Sequence, residues 1–135
     1  MRLVVDASVV VQLSLAGGAL GPLTSHELVA PPLLASELTS ALSEMAFRGD
    51  IPVDAARTAL ATFPSFGIRS ELPDGLYERA WDLARQLGWA KSYDAEYVAL
   101  AAMARVPLLT LDGRMRRAAS HLVDMPLLTE LAPAT

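Results

Sequence analysis

Apolar residues along this chain fall into short blocks with two different rhythms. Leu3-Val4-Val5 is an unbroken run closed by Asp6, which predicts a short buried strand over residues 2–6. Residues 8–15 are apolar enough to begin a helix; Gly17-Gly18 and Gly21-Pro22 break it, and a short helix is predicted at 22–27. Leu28-Val29-Ala30 predicts a second strand, stopped by Pro31-Pro32. From Leu33 to about Arg48 the rhythm changes to steps of three and four. Leu34, Leu38, Ala41 and Met45 make one helical stripe, and Gly49 suits its C-terminal cap. Pro52 suits the first turn of a further helix carrying Ala55, Ala56, Ala59 and Leu60, which Pro64 and Gly67 end.

The second half repeats the alternation. Ile68–Leu72 reads as a weak strand, and Pro73-Asp74 introduces a helix over Leu76–Leu87 that Gly88 closes. Ser92 is placed to cap a helix over 93–104 that is apolar nearly all round, so that helix is expected to be central and buried. Residues 107–111 predict a strand, 113–119 a short basic helix, and Val123 with Leu127-Leu128 a last short strand. Strands alternating with helices imply an α/β fold, a mostly parallel sheet flanked by helices on both faces. No repeat, low-complexity tract or linker interrupts it, so residues 1–135 read as one domain, with Ala132–Thr135 as a frayed tail.

Composition narrows the function. Hydrophobic residues make up 53% and charged residues 19%, as in a compact soluble protein. The net charge is −4, and Lys91 is the only lysine among 11 basic residues, so the basic footprint of a duplex-DNA binder is absent. A nuclease whose acidic cluster is offset by metal ions remains compatible with that charge. The lack of cysteine excludes disulfides, thiolate catalysis and cysteine zinc sites. Arg2 and Asp6 interrupt any signal segment, and no apolar run reaches the roughly 20 residues of a membrane span, so a cytoplasmic, soluble protein is expected.

Against this apolar background four acids stand out. Asp6 ends the first strand, Glu37 lies on the shoulder of the Leu34–Leu38–Ala41 stripe, Asp94 opens the apolar helix, and Asp112 follows the strand at 107–111. Each has an ordinary explanation. Asp6 and Asp112 suit turns or helix caps, Glu37 a solvated shoulder, and Asp94 an interaction with the helix dipole. Brought together by the fold, the four would share a hard divalent cation and point to phosphate chemistry. Glu44, about two turns from Glu37, reads as surface, and Glu96 faces away from Asp94 by helical period. His26 and His121 lack metal-ligand spacing, and neither a glycine-rich phosphate loop nor a nucleophile elbow is present. Arg114, Arg116 and Arg117 form a small basic cluster beside Asp112, either a solvated helix end or a contact for RNA phosphates or an acidic partner.

The stretches Val4-Val5-Asp6-Ala7-Ser8-Val9-Val10, Ser92-Tyr93-Asp94-Ala95-Glu96-Tyr97-Val98-Ala99-Leu100-Ala101 and Leu109-Thr110-Leu111-Asp112-Gly113-Arg114, with the Glu37 helix between, resemble PIN-domain ribonucleases. Within that family they look most like VapC-type toxins of toxin–antitoxin pairs. The resemblance implies that Asp6, Glu37, Asp94 and Asp112 are the metal-binding catalytic acids, supported by Thr110 and Ser8. It implies endonucleolytic RNA cleavage dependent on Mg²⁺ or Mn²⁺; because no side chain is an obvious general base, the nucleophile is expected to be a metal-activated water. It also implies a VapB-type antitoxin as partner, and toxin homodimers. An all-oxygen ligand set agrees with Mg²⁺ or Mn²⁺ over zinc.

Two other classes remain open on the residues alone: a metal-dependent phosphohydrolase, and a non-enzymatic module with an acidic pocket. The haloacid-dehalogenase type requires Asp-x-Asp after the first strand, and Ser8 fills the second place. A receiver domain requires a paired acid there and a late lysine, which Val5-Asp6-Ala7 and Leu111-Asp112-Gly113 do not supply.

Overall fold

The computed structural model describes residues 1–18 and 20–131, so the expected tail at Ala132–Thr135 lies outside the described residues. Four short strands form one parallel sheet: β1 (Arg2–Val5), β2 (Glu27–Ala30), β3 (Arg69–Ser70) and β4 (Leu108–Leu109), in the order β3-β2-β1-β4. Around it lie α1 (Ala7–Leu15), α2 (Leu34–Phe47), α3 (Val53–Thr62), α4 (Leu76–Leu87), α5 (Tyr93–Ala104) and α6 (Gly113–Ala119). This is the α/β arrangement that the alternating pattern implies. Helices α1, α2 and α3 pack on one another, and α4 packs on α5, which also lies against β1 and β4. No helix among the described residues is long and apolar enough to cross a membrane.

The central strands have no exposed face. Leu3, Val4, Val5, Val29, Leu108 and Leu109 are all fully buried, which is why they read as continuous apolar runs without alternation. Helix α5 is buried from Ala95 to Ala101 on every side. By contrast α4 is strongly one-sided, burying Leu76, Ala80, Leu83 and Ala84.

Several boundaries differ from the sequence expectation. The strand expected over 107–111 is reduced to Leu108–Leu109, and the helix expected at 22–27 is a 3-10 turn at Gly21–Leu23. No strand forms at Val123 or Leu127-Leu128. Pro126, which has no N–H to donate, interrupts the segment, and only the Asp124 carbonyl reaches β4, accepting from Leu108 N–H at 2.9 Å. Leu128–Glu130 is instead a 3-10 turn. Ser92 occupies the N-cap position of α5, but its side chain makes no capping bond. Its φ of −97° and ψ of 0° depart from the extended geometry that aims a cap oxygen at the next N–H groups.

Candidate active site

Strand β1 pairs with β2 on one side and β4 on the other, so the chain order reverses across the β1–β4 boundary. In parallel α/β sheets a crevice opens at such a reversal, beyond the C-terminal ends of the strands. Helices that follow or precede parallel strands run antiparallel to them, which brings the N-termini of α1, α2, α5 and α6 to this same edge. Each of the four acids sits on one of those N-termini.

Asp6 is the N-cap of α1, and its Oδ1 accepts from Val9 N–H at 3.3 Å. It is 4% exposed, and both its oxygens are tied down further. Ser8 Oγ donates to Oδ1 at 2.5 Å, and Thr110 Oγ1 donates to Oδ2. The same two hydroxyls stitch the β4 loop to β1, because Ser8 Oγ accepts from Leu111 N–H at 2.9 Å and Thr110 Oγ1 from Asp112 N–H at 3.0 Å. Strand geometry does not align Thr110 with Asp112, since the strand ends before them; this hydrogen bond does.

Asp112 is the N-cap of α6, with Oδ1 accepting from Arg114 N–H at 2.9 Å and Met115 N–H at 3.3 Å. Glu37 lies in the first turn of α2, half-buried, and its Oε1 accepts from the buried Tyr97 hydroxyl at 2.6 Å. Asp94 lies in the first turn of α5 and pairs through Oδ2 with Arg114 Nη2 at 2.7 Å. Arg114 also sits over Trp89, 5.9 Å from the ring centroid.

The electrostatics register the crowding. Burial pushes the Asp6 carboxyl up, and the Ser8 and Thr110 hydrogen bonds and the Asp94 charge modify it in opposite senses. Burial also raises Glu37; the Tyr97 hydroxyl opposes this, and repulsion from Asp94 and Asp6 adds to it. Asp94 is raised by burial first, relieved by Arg114 and raised again by Asp112. Carboxylates that repel one another across a partly desolvated edge carry a charge deficit that the protein leaves mostly uncompensated.

An all-oxygen donor set suits a hard divalent cation. Among the described residues, however, no three acidic or histidine side chains stand close enough to enclose one ion as placed. Glu37 Oε2, Asp94 Oδ1 and Asp112 Oδ2 accept no hydrogen bond from the described residues. The residues thus fit a divalent cation by donor chemistry and by charge deficit, though not by spacing as placed.

Three features escaped the sequence. Glu96, set apart from Asp94 by helical period, is buried as well, and its carboxyl is raised by burial and by the Glu37 charge. Helical period tells which residues share a face but not which faces are covered, and α5 is covered on all. Tyr97 reads from sequence as core, yet its hydroxyl orients Glu37. Trp89, Lys91 and Tyr93 line a cleft with Glu37 and Asp94. Glu44 is exposed on α2, as expected.

The sequence matches the PIN domain family over residues 3–120. It is 35% identical over 114 residues to VapC ribonuclease Mb0985 of Mycobacterium bovis, covering 84% of this chain and 87% of that protein. It is 37% identical over 123 residues to Ribonuclease VapC1 of Mycobacterium tuberculosis, covering 85% of this chain and 89% of that protein. Among solved structures, PAE2754 from Pyrobaculum aerophilum superposes with a TM-score of 0.70 at 24% identity, over 97% of this chain and 92% of that one.

Proposed function

The chain belongs to the PIN-domain family, and from that premise we propose that it is an endoribonuclease, dependent on Mg²⁺ or Mn²⁺, that acts as the toxin of a VapBC-type pair. One observation supports the reading: Asp6, Glu37, Asp94 and Asp112 each lie on a helix N-terminus at the C-terminal edge of the sheet, and burial raises the carboxyl pKa of the first three. The relatives named VapC ribonuclease support the substrate class.

In this reading Asp6, Asp94 and Asp112 are the principal ligands of a divalent ion, and Glu37 completes the set. Such an ion would supply positive charge against the charge that develops on the phosphate and would lower the pKa of nearby water. The remaining work belongs to side chains. Ser8 and Thr110 hold both Asp6 oxygens in one orientation. Tyr97 holds Glu37, which orients the attacking water. Arg114 keeps a positive charge at Asp94 and stands at the mouth of the crevice. Neither His26 nor His121 lines the cleft, and in this reading the nucleophile is a water.

The partner in this reading is a VapB-type antitoxin, with the toxin itself as a homodimer. Two apolar segments are candidates for its docking surface, residues 9–15 and the 52–63 helix. The structure divides them: α1 turns Val9, Val10 and Leu13 into the core, whereas α3 leaves Val53 and Leu60 exposed. In this reading α3, with these exposed apolar residues, offers the docking surface.

The test is Asp94→Asn. RNA cleavage in Mg²⁺ should fall by at least about 100-fold, the scale for loss of one electrostatic catalytic group. Thermal stability of the metal-free protein should be unchanged or raised, because one of the crowded charges is gone. Full cleavage by the variant would remove Asp94 from the site.

A further inference from the structure

Two cavities meet at Lys91 and Tyr93. One, about 590 Å³, is walled by Trp89, Asp94 and Arg114. The other, about 520 Å³, runs along α2 past Ser36, Ser40 and Glu44. Glu37, Lys91 and Tyr93 line both, so the Lys91–Tyr93 segment is a ridge dividing one continuous groove beside the acids.

Neither ridge side chain has a structural task. Tyr93 is 56% exposed at the first position of α5, and its neighbour in the groove, Trp89, is half-buried. Lys91 forms no ion pair or hydrogen bond among the described residues, although Glu37 and Asp94 line the same cavity. The other cation in that cavity, Arg114, is already engaged by Asp94. An acidic site repels a phosphodiester, so a free ammonium and a bare aromatic face at its border meet two different needs of a nucleic-acid strand. The ammonium offsets a phosphate, and the ring offers a stacking platform for a base. Only an unpaired base can present its face to a side chain, because a duplex keeps its bases stacked inside.

We propose that Lys91 and Tyr93 form a nucleotide-binding subsite: Tyr93 stacks on an unpaired base of single-stranded RNA, and Lys91 holds the phosphate adjoining the one that is cut. The proposal rests on the ribonuclease reading above. The strand then lies along the groove from the Trp89 wall to the α2 wall.

The experiment uses a fluorescein-labelled single-stranded RNA of mixed sequence and its duplex. Binding is followed by anisotropy in a Glu37→Gln background to prevent turnover, and steady-state cleavage is measured in the otherwise wild-type protein. Tyr93→Ala and Lys91→Ala should each weaken single-strand binding about tenfold, and should raise KM with kcat unchanged. Tyr93→Phe keeps the ring and should restore affinity. Lys91→Ala should also flatten the dependence of log Kd on log salt by about 0.7, one phosphate contact on a single strand. The duplex should bind weakly to every variant. Both side chains are exposed, so the thermal midpoint should not move. Unchanged affinity in either alanine variant, or a parent that binds no single-stranded RNA, overturns the subsite. If the wild type cuts RNA and Tyr93→Ala has the same KM, the subsite falls while the ribonuclease reading stands. If the binding pattern holds and the wild type does not cut RNA in Mg²⁺ or Mn²⁺, the ribonuclease reading falls while the RNA-binding subsite stands.

Discussion

Arg114 Nη2 lies 2.7 Å from Asp94 Oδ2, and its guanidinium rests 5.9 Å from the centre of the Trp89 ring. Among the described residues it is the sole basic side chain within ion-pair reach of any of the four acids. The fold therefore keeps one internal cation at a site otherwise left negative, and stacks it on an aromatic wall.

A first prediction follows from that pairing. Arg114→Gln should lower the thermal stability of the metal-free protein by less than about 1 kcal/mol, because Arg114 is largely solvent-exposed and its pair with Asp94 is screened. Saturating Mg²⁺ should remove the difference, since an ion then supplies the charge. Thermal denaturation in chelator and in Mg²⁺ reads both effects. A variant as stable as wild type in chelator would mean that Arg114 does not act as a counter-ion.

Tyr97 and Glu37 stand 60 residues apart in sequence and 2.6 Å apart in space. Tyr97→Phe leaves the ring in the core and removes only the hydroxyl. It should cost about 1 kcal/mol of stability, the usual net worth of such a bond. RNA cleavage should drop about tenfold through kcat, because Glu37 loses its orientation. A loss confined to stability, with kcat unchanged, would make Tyr97 a packing residue alone.

Much of this arrangement is legible in the chain, and the failures have physical causes. The β-branched, uninterrupted Leu3-Val4-Val5 announces a buried strand, and Gly49, Gly67 and Gly88 mark helix ends where the backbone turns left-handed, with φ of 77°, 63° and 72°. Asp6 and Asp112 admit two readings from sequence, a helix cap or a site residue; the structure shows both as helix caps, on N-termini at the strand ends where an acidic site would also lie. Glu37 was visible only as a shoulder position, because its partner Tyr97 lies on a distant helix. The Lys91–Tyr93 groove depends on how α2 faces α5, a tertiary fact no local pattern carries. The missing last strand turns on Pro126, whose effect outweighs the apolar Val123 and Leu127-Leu128.

The raised carboxyls fix the sign of a pH effect. Asp6, Glu37 and Asp94 hold protons more tightly folded than unfolded, burial being the largest cause in each. The folded state then binds more protons than the unfolded chain between the ordinary carboxylate range and the raised values. Metal-free protein should gain stability as the pH falls through those raised values, and the gain should level off at the ordinary carboxylate range near 4. Mg²⁺ favours the ionised forms and should flatten or reverse the trend. Thermal midpoints across that range, with chelator and with Mg²⁺, check it, and Asp6→Asn should weaken the slope in chelator. Metal-free protein that loses stability steadily on acidification from neutral pH would contradict the electrostatic account of the site.

The central claim is that these carboxylates cleave RNA with a divalent ion, and the most direct measurement is cleavage of a labelled single-stranded RNA by one rigorously purified preparation, first in EDTA and then after Mg²⁺ or Mn²⁺ is added in excess. The account predicts intact RNA in EDTA and endonucleolytic products once the ion is supplied. Undiminished cleavage in EDTA, or intact RNA in both conditions, would contradict it.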